Sequence, residues 1–239
     1  MKSKYISEYP LVWKKDDFFL KIFCSIPAIA TGILLNTRKS SFVIDPGDGI
    51  LRDLNVEIGP KGILGISDIF ISHGHHDHIG GIWSLLTYLS VMKRRGELNI
   101  YYPKGCNEIK SIHKAFLEVY KKELLYTINM IEIADEKSFT RNSVKVKPFK
   151  VNHKEEGEGS FASPVPSLGF KFSYSGKSVC YGGDTAYCDS LVKNVKGSDL
   201  AVIEAGAEGT ESTEMHLTID EAIEIGKLAK KYFLVHIPK

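Results

Sequence analysis

An α+β fold is the class this sequence predicts: two mixed β-sheets laid against each other, with helices on their outer faces. Three observations lead there. Strand-like apolar segments dominate the first third of the chain. Two stretches of helical periodicity follow, and a run of further strands then continues to a last helix and a closing strand. A sheet face and a helix stripe must each be buried against another element, and this order of elements does so by layering.

The elements are read in order. Residues 18–24 and 32–36 are apolar and rich in β-formers, as strands require. Residues 41–49 read as a buried strand ending in a turn at Asp45-Pro46-Gly47, and residues 67–78 as a strand running into a His-rich loop. From Gly80 to Arg95 the period changes, with Ile82, Leu85, Leu86, Leu89 and Met92 recurring at helical steps. Residues 105–122 repeat the pattern with Ile109, Ile112, Phe116, Val119 and Tyr120. Strands are expected near 128–133, 144–151, 168–174, 178–183 and 199–205. Thr218 and Glu221 have capping-box spacing, which starts a helix with Ile219, Ala222, Ile223 and Leu228 on its apolar side. Residues 232–237 form the closing strand.

Nothing divides the chain. The 239 residues contain no repeat and no Pro/Gly/Ser-rich linker, so residues 1–239 are expected to form a single domain. Hydrophobic residues make up 43% and charged residues 25%, the balance of a globular protein rather than a disordered chain. The net charge of +2 neither demands nor excludes an anionic partner. Cys24, Cys106, Cys180 and Cys188 form no CxxC pair, which favours a reducing compartment. The N-terminal stretch is polar, without a signal-peptide core, and no run approaches the ~20 apolar residues of a membrane span. A cytoplasmic protein with no membrane partner is the expectation, and a homodimer is the default assembly.

The chemistry concentrates in Ser72-His73-Gly74-His75-His76-Asp77-His78. Imidazole and carboxylate donors suit zinc and neighbouring divalent ions. The ligands cannot all reach one ion from a straight strand, but a turn can splay them over two. His153, Asp184 and His236 each end a strand-like run, so all can converge at one sheet edge. His76 is expected to point away, and His113 to be a helix boundary residue.

These residues resemble the metallo-β-lactamase superfamily, from residues 44–49 through 72–81, 151–153, 182–185 and 235–236. The resemblance implies an αββα sandwich and two divalent metal ions, zinc being expected and manganese or iron fitting the same ligands. It puts His73, His75 and His153 on one metal and Asp77, His78 and His236 on the other, with Asp184 bridging. Asp45 matches an acid that supports ligands from behind; a plain turn cap is the competing reading.

Particular ligands narrow the branch. Asp184 stands where the best-known zinc β-lactamases carry Cys, and His75 where the di-iron flavoprotein branch carries Glu. The glyoxalase II branch shares the ligand set but usually adds a C-terminal helical segment; three residues follow His236 here. Glu204-Ala205-Gly206 and Met215-His216-Leu217-Thr218 are similar to the paired motifs of the ribonuclease Z and related phosphodiesterase branch. The family's usual His before the Glu is Ile203 here, and its usual Thr is Gly206. His216 also reads as an ordinary residue at a helix start. Short-form members usually carry a long tRNA-gripping arm between the strands that hold Leu168 and Val179. Here only Ser175-Gly176-Lys177 intervenes, which favours a smaller phosphodiester.

The function implied is phosphodiester hydrolysis by a hydroxide held between two ions. Asp77 takes its proton, and His216, tuned by Glu204, serves the leaving oxygen. Hydrolysis of a thioester, lactone or sulfate ester on the same site is the alternative, and a non-catalytic metal-binding protein is a third. Residues 93–154 hold 14 Lys/Arg against 7 Asp/Glu. Lys93, Arg94, Arg95, Lys145, Lys147, Lys150 and Lys154 thus leave an RNA substrate open, although solvated faces explain them as well. Residues 155–166 are Gly-, Ser- and Pro-rich and are either a lid or a plain connection.

Overall fold

In the computed structural model, residues 8–134, 136–155, 163–207, 209, 211 and 213–238 are described. The chain starts with β1 (Leu11–Lys15), β2 (Phe18–Ile26), β3 (Ala30–Asn36) and β4 (Ser41–Ile44), then α1 (Ile50–Leu64) and β5 (Ile66–Phe70). Next come α2 (His76–Ile79), α3 (Ile82–Val91), β6 (Gly96–Pro103), α4 (Asn107–Tyr120) and β7 (Tyr126–Ile133). The second half holds β8 (Phe139–Arg141), β9 (Val144–Lys150), β10 (Lys154–Glu155), β11 (Ser163–Pro164), β12 (Leu168–Tyr174) and β13 (Lys177–Tyr181). It closes with α5 (Asp189–Val195), β14 (Leu200–Glu204), α6 (Ile219–Gly226) and β15 (Tyr232–Val235).

β1 to β7 form a seven-stranded sheet in sequence order, antiparallel up to β4 and parallel from β4 onward. A second, six-stranded sheet runs β15-β14-β13-β12-β9-β8, with β13, β14 and β15 parallel. Side chains alternate across each strand. Ile33, Leu35, Phe70, Leu200 and Val202 face the space between the sheets, where they meet Phe170, Phe172 and Val146. Leu34, Ile69 and Ile71 point the other way, into a cluster covered by Leu54, Leu85, Leu86, Leu89 and Phe116 of the outer helices. Ala201 and Ile203 face a third cluster under α5 and α6. This is the expected αββα layering.

β12 and β13 pair up to Tyr174 and Lys177, so the hairpin turns on Ser175 and Gly176 alone, at φ 48° and 74°. Two successive positive φ values define the turn that matches strand twist. α6 starts with the capping box: Thr218 Oγ1 accepts from the Glu221 N–H at 3.2 Å, and Glu221 Oε2 accepts from the Thr218 N–H at 2.9 Å.

Some expectations need correction. Leu228 lies beyond α6 and is exposed, as are Val119 and Met92, because each falls where its helix turns from the sheet or has ended. Arg94 is buried: its guanidinium donates to the Leu64 carbonyl and to the Glu97 carbonyl at 2.8 Å, so it is no phosphate contact. Lys147 Nζ donates to Asn194 Oδ1 at 2.8 Å, and Lys154 pairs with Glu214 at 2.9 Å. Most of the proposed lid, residues 156–162, lies outside the described residues; its flanks pair as β10 and β11.

Candidate metal centre

The predicted ligands lie at the C-terminal ends of strands, where ligand sites form in open sheets. His73 and His75 follow β5, and α2 carries Asp77 and His78. His153 follows β9, Asp184 follows β13 and His236 follows β15. His73, Asp77, His78, His153, Asp184 and His236 are buried, while His75 is half-buried. His76 is exposed, its Nε2 3.7 Å from Asp48 Oδ2, and is turned away as expected. His113 is half-buried on α4.

Potential ligand atoms fall into overlapping groups, two of which are the sets that the resemblance implies. His73, His75 and His153 bring theirs within 4.8 Å of one another, and so do Asp77, His78 and His236. Asp184 Oδ2 stands between the groups, 3.8 Å from His73 Nε2, 3.3 Å from His78 Nε2 and 3.2 Å from His236 Nε2.

Hydrogen bonds orient the imidazoles. Asp45, at φ 46° in the turn after β4, is fully buried. Its Oδ1 accepts from the Ser72 N–H at 2.7 Å. Its Oδ2 accepts from Ser72 Oγ at 2.6 Å, Tyr181 OH at 2.6 Å and His78 Nδ1 at 2.9 Å. Because the Ser72 hydroxyl proton goes to Asp45, its oxygen accepts from His73 Nδ1 at 3.0 Å. His153 Nδ1 donates to the Met215 carbonyl at 2.8 Å. In all three rings Nδ1 is the nitrogen held by the surrounding hydrogen bonds, so Nε2 is the one that faces the centre. His73 Nε2 and His78 Nε2 are buried without a hydrogen-bond partner, while His236 Nε2 lies 3.0 Å from Asp77 Oδ2. Orphaned buried nitrogens beside ionised carboxylates are what a divalent cation would satisfy, and the donor set fits one.

The electrostatics divide the imidazoles. Burial, aided by His78, holds His73 well below the ordinary imidazole value, and burial takes His153 down to about 4. Both imidazoles are therefore neutral, the form a metal donor needs. Burial also opposes charge on His78, but Asp184 and Asp45 outweigh it and hold that imidazole well above the usual value. Burial resists ionisation of Asp184 and Asp77; His236 and His78 outweigh it in both, so both carboxyls stay low.

His216 and Glu204 stand beside this cluster. Glu204, buried at the end of β14, accepts at Oε1 from the Thr185 N–H at 3.1 Å, the Leu217 N–H at 3.0 Å and His216 Nδ1 at 3.2 Å. Burial raises Glu204 against the pull of His216, and Glu204 in turn raises His216 against its burial. The His216 ring lies 5.2 Å from His153 and 5.4 Å from His236, and its ligand atom groups with those of Asp184 and His236. Ile203, where the branch usually has His, points into the outer core instead.

Gly206 has a steric reason. A Cβ there would lie 2.9 Å from both His216 Nδ1 and His236 Nδ1. Gly206→Ala is expected to displace both imidazoles, lowering kcat by about 100-fold through misplacement and stability by about 1–3 kcal/mol through overpacking. Steady-state turnover and thermal unfolding check this; wild-type values in both would refute it.

Reading the sequence did not find Ser72, Tyr181, the Met215 carbonyl or the Ala28 N–H, which donates to Asp77 Oδ2 at 3.0 Å. Ser72 and Tyr181 offered a weak signal as hydroxyls at the ends of apolar strands. The backbone groups offered none.

Residues 40–237 match the model of the β-lactamase superfamily domain, and the chain belongs to that family. A ribonuclease Z of Methanothermobacter thermautotrophicus is 25% identical over 252 residues, covering 87% of this chain and 80% of the relative. The metallo-beta-lactamase fold protein YhfI from Bacillus subtilis superposes with a TM-score of 0.75 at 20% identity, covering 94% of this chain and 88% of that one. The short form of human tRNase Z gives 0.70 at 23% identity, covering 92% of each. Among the described residues no helix is long and apolar enough to cross a membrane.

Proposed function

We propose that this protein is a metal-dependent phosphodiester hydrolase with a dinuclear centre. His73, His75 and His153 would hold one divalent cation, Asp77, His78 and His236 a second, and Asp184 would serve both. The observation that carries this reading is the convergence of the Nε2 atoms of His73, His78 and His236 on one buried carboxylate oxygen. When bound, the cations would polarise the phosphoryl oxygen and lower the pKa of water toward ~7. Zinc is the expected metal, and the same ligands accept manganese or iron.

The chain's own groups divide the remaining work. Asp77, ionised and held through Oδ2 by the Ala28 N–H, orients the attacking water and takes its proton. His216 is held by Glu204 through Nδ1, and Glu204 favours the imidazolium, whose Nε2–H would meet the leaving oxygen. The His216–Glu204 pair and the ribonuclease Z relative favour a phosphodiester over a thioester, lactone or sulfate ester. The two-residue hairpin between β12 and β13 favours a substrate held close to the centre, small or a short stretch of RNA, over one gripped by an arm. Cytoplasmic residence is supported by four cysteines that form no disulfide, and a homodimer remains the default assembly.

A panel of bis(p-nitrophenyl) phosphate, cyclic nucleotides, RNA with a 3′ trailer, thioesters and lactones, each with zinc, manganese and iron, tests the assignment. Diester turnover is expected to dominate. His216→Ala and Asp77→Ala are expected to lower kcat by about 100- to 10,000-fold, with bound metal retained in the first. A His216→Ala protein that turns over diesters like the parent would refute its role.

A further inference from the structure

Beside the centre lies a cleft of about 320 Å³ that the chemistry above does not use. Ile133, Val151, Pro166 and Leu168 supply apolar walls, and Lys104 and Lys150 supply cationic ones. The cleft is joined to the centre by backbone. The Val165 N–H donates to the His153 carbonyl and the Leu168 N–H to the Ser72 carbonyl, both at 2.9 Å. One wall is therefore pinned at both ends to the segments that present His153 and His73. The opposite wall is fixed where the Lys104 N–H donates to the Ile133 carbonyl at 2.9 Å.

Both lysine side chains are exposed. Glu136 is engaged by the Lys150 backbone N–H at 2.8 Å, and among the described residues neither ammonium has an ion-pair partner. Two exposed cations over apolar walls suit a flat apolar ring bearing a phosphate. Pockets for small ligands begin near ~300 Å³, about the size of one nucleotide.

Resting on the phosphodiesterase reading, we propose that this cleft is a nucleotide subsite. The base of the nucleotide flanking the scissile diester packs on its apolar wall. Lys104 and Lys150 bind the next phosphate along the strand. The hairpin between β12 and β13 is too short to hold nucleic acid, so recognition falls to groups that adjoin the centre.

The test compares a diribonucleoside monophosphate with the same molecule carrying an extra 3′- or 5′-terminal phosphate. Both are given to the metal-loaded parent and to the Lys104→Ala/Lys150→Ala double variant. In the parent, one phosphorylated form is expected to show a KM about tenfold lower, the worth of a hydrogen bond to a charged group. The double variant is expected to lose that advantage while its turnover of bis(p-nitrophenyl) phosphate is unchanged. An advantage absent from the parent, or retained in the double variant, overturns the subsite. If the parent cleaves no diester, the phosphodiesterase reading fails separately, and fluorescence anisotropy of the labelled, phosphorylated dinucleotide decides. Tenfold weaker binding by the double variant then supports the subsite, and equal or undetectable binding by both proteins overturns it.

Discussion

Asp184→Ala is expected to lower kcat/KM on a diester by about 1,000-fold or more while the protein stays folded. The reason is geometric. Asp184 Oδ2 lies within 3.8 Å of Nε2 atoms from His73, His78 and His236, which belong to both predicted ligand groups. Removing it leaves the His73, His75 and His153 group with no carboxylate, and the two groups with no shared negative charge. A bound metal supplies several kcal/mol of charge stabilisation, and each ~1.4 kcal/mol is tenfold in rate. Losing either cation therefore accounts for the expected drop. Elemental analysis should show fewer than two equivalents of metal per chain, and Asp184→Asn, which keeps the shape but loses the charge, should fall nearly as far. Two tightly held equivalents and activity within tenfold of the parent would remove Asp184 from the centre. Far-ultraviolet circular dichroism separates this outcome from simple unfolding.

The site was more legible in the sequence than the fold around it. Metal-binding side chains are chemically distinctive, and each predicted ligand follows an apolar strand, so position and chemistry pointed the same way. α1 was missed because its period is poor. Only Ile50, Leu54 and Ile63 are buried on it, and Gly59 and Pro60 interrupt it, with Gly59 at φ 62° and ψ 179°. β1 was missed because alternate residues are exposed lysines and valine, and β6 because it starts on a polar Gly-Glu pair. The contact between half-buried Arg141 on β8 and buried Asp68 on β5, at 2.8 Å, joins residues 73 positions apart, and no local pattern announces such a pair. Glu204 and His216 were found only through a resemblance. Neither has a spacing that carries chemistry until β14 and the α6 cap bring them to 3.2 Å. Asp45 left two readings open, a turn cap and a support for the ligands. The structure favours the support: the Asp45 carboxylate accepts from Ser72, Tyr181 and His78, and the turn is closed by backbone, the Gly47 N–H donating to the Asp45 carbonyl at 2.9 Å.

That support makes Asp45 the most consequential residue outside the predicted ligands. Asp45→Asn is expected to lower the unfolding midpoint by about 10–20 °C and to weaken metal affinity by about 10- to 100-fold. The donors converging on its carboxylate are the Ser72 N–H, the Ser72 hydroxyl, the Tyr181 hydroxyl and His78 Nδ1. An amide offers one acceptor oxygen and places N–H groups against donors, so at least two are left unpaired in the core. Each lost hydrogen bond to a charged acceptor is worth about 1.5–3 kcal/mol, and 1 kcal/mol moves the midpoint of a chain this size by about 2–4 °C. Metal affinity falls because His78 loses the group that fixes its tautomer, and His73 loses the Ser72 orientation that fixes its own. Tyr181→Phe separates the two effects. It removes one donor without touching a ligand, so it is expected to lower the midpoint by a few degrees and leave metal affinity intact. If Asp45→Asn melts within 2 °C of the parent and binds metal as tightly, the imidazoles are oriented by packing alone, and the hydrogen-bond relay from Asp45 has no part in building the centre.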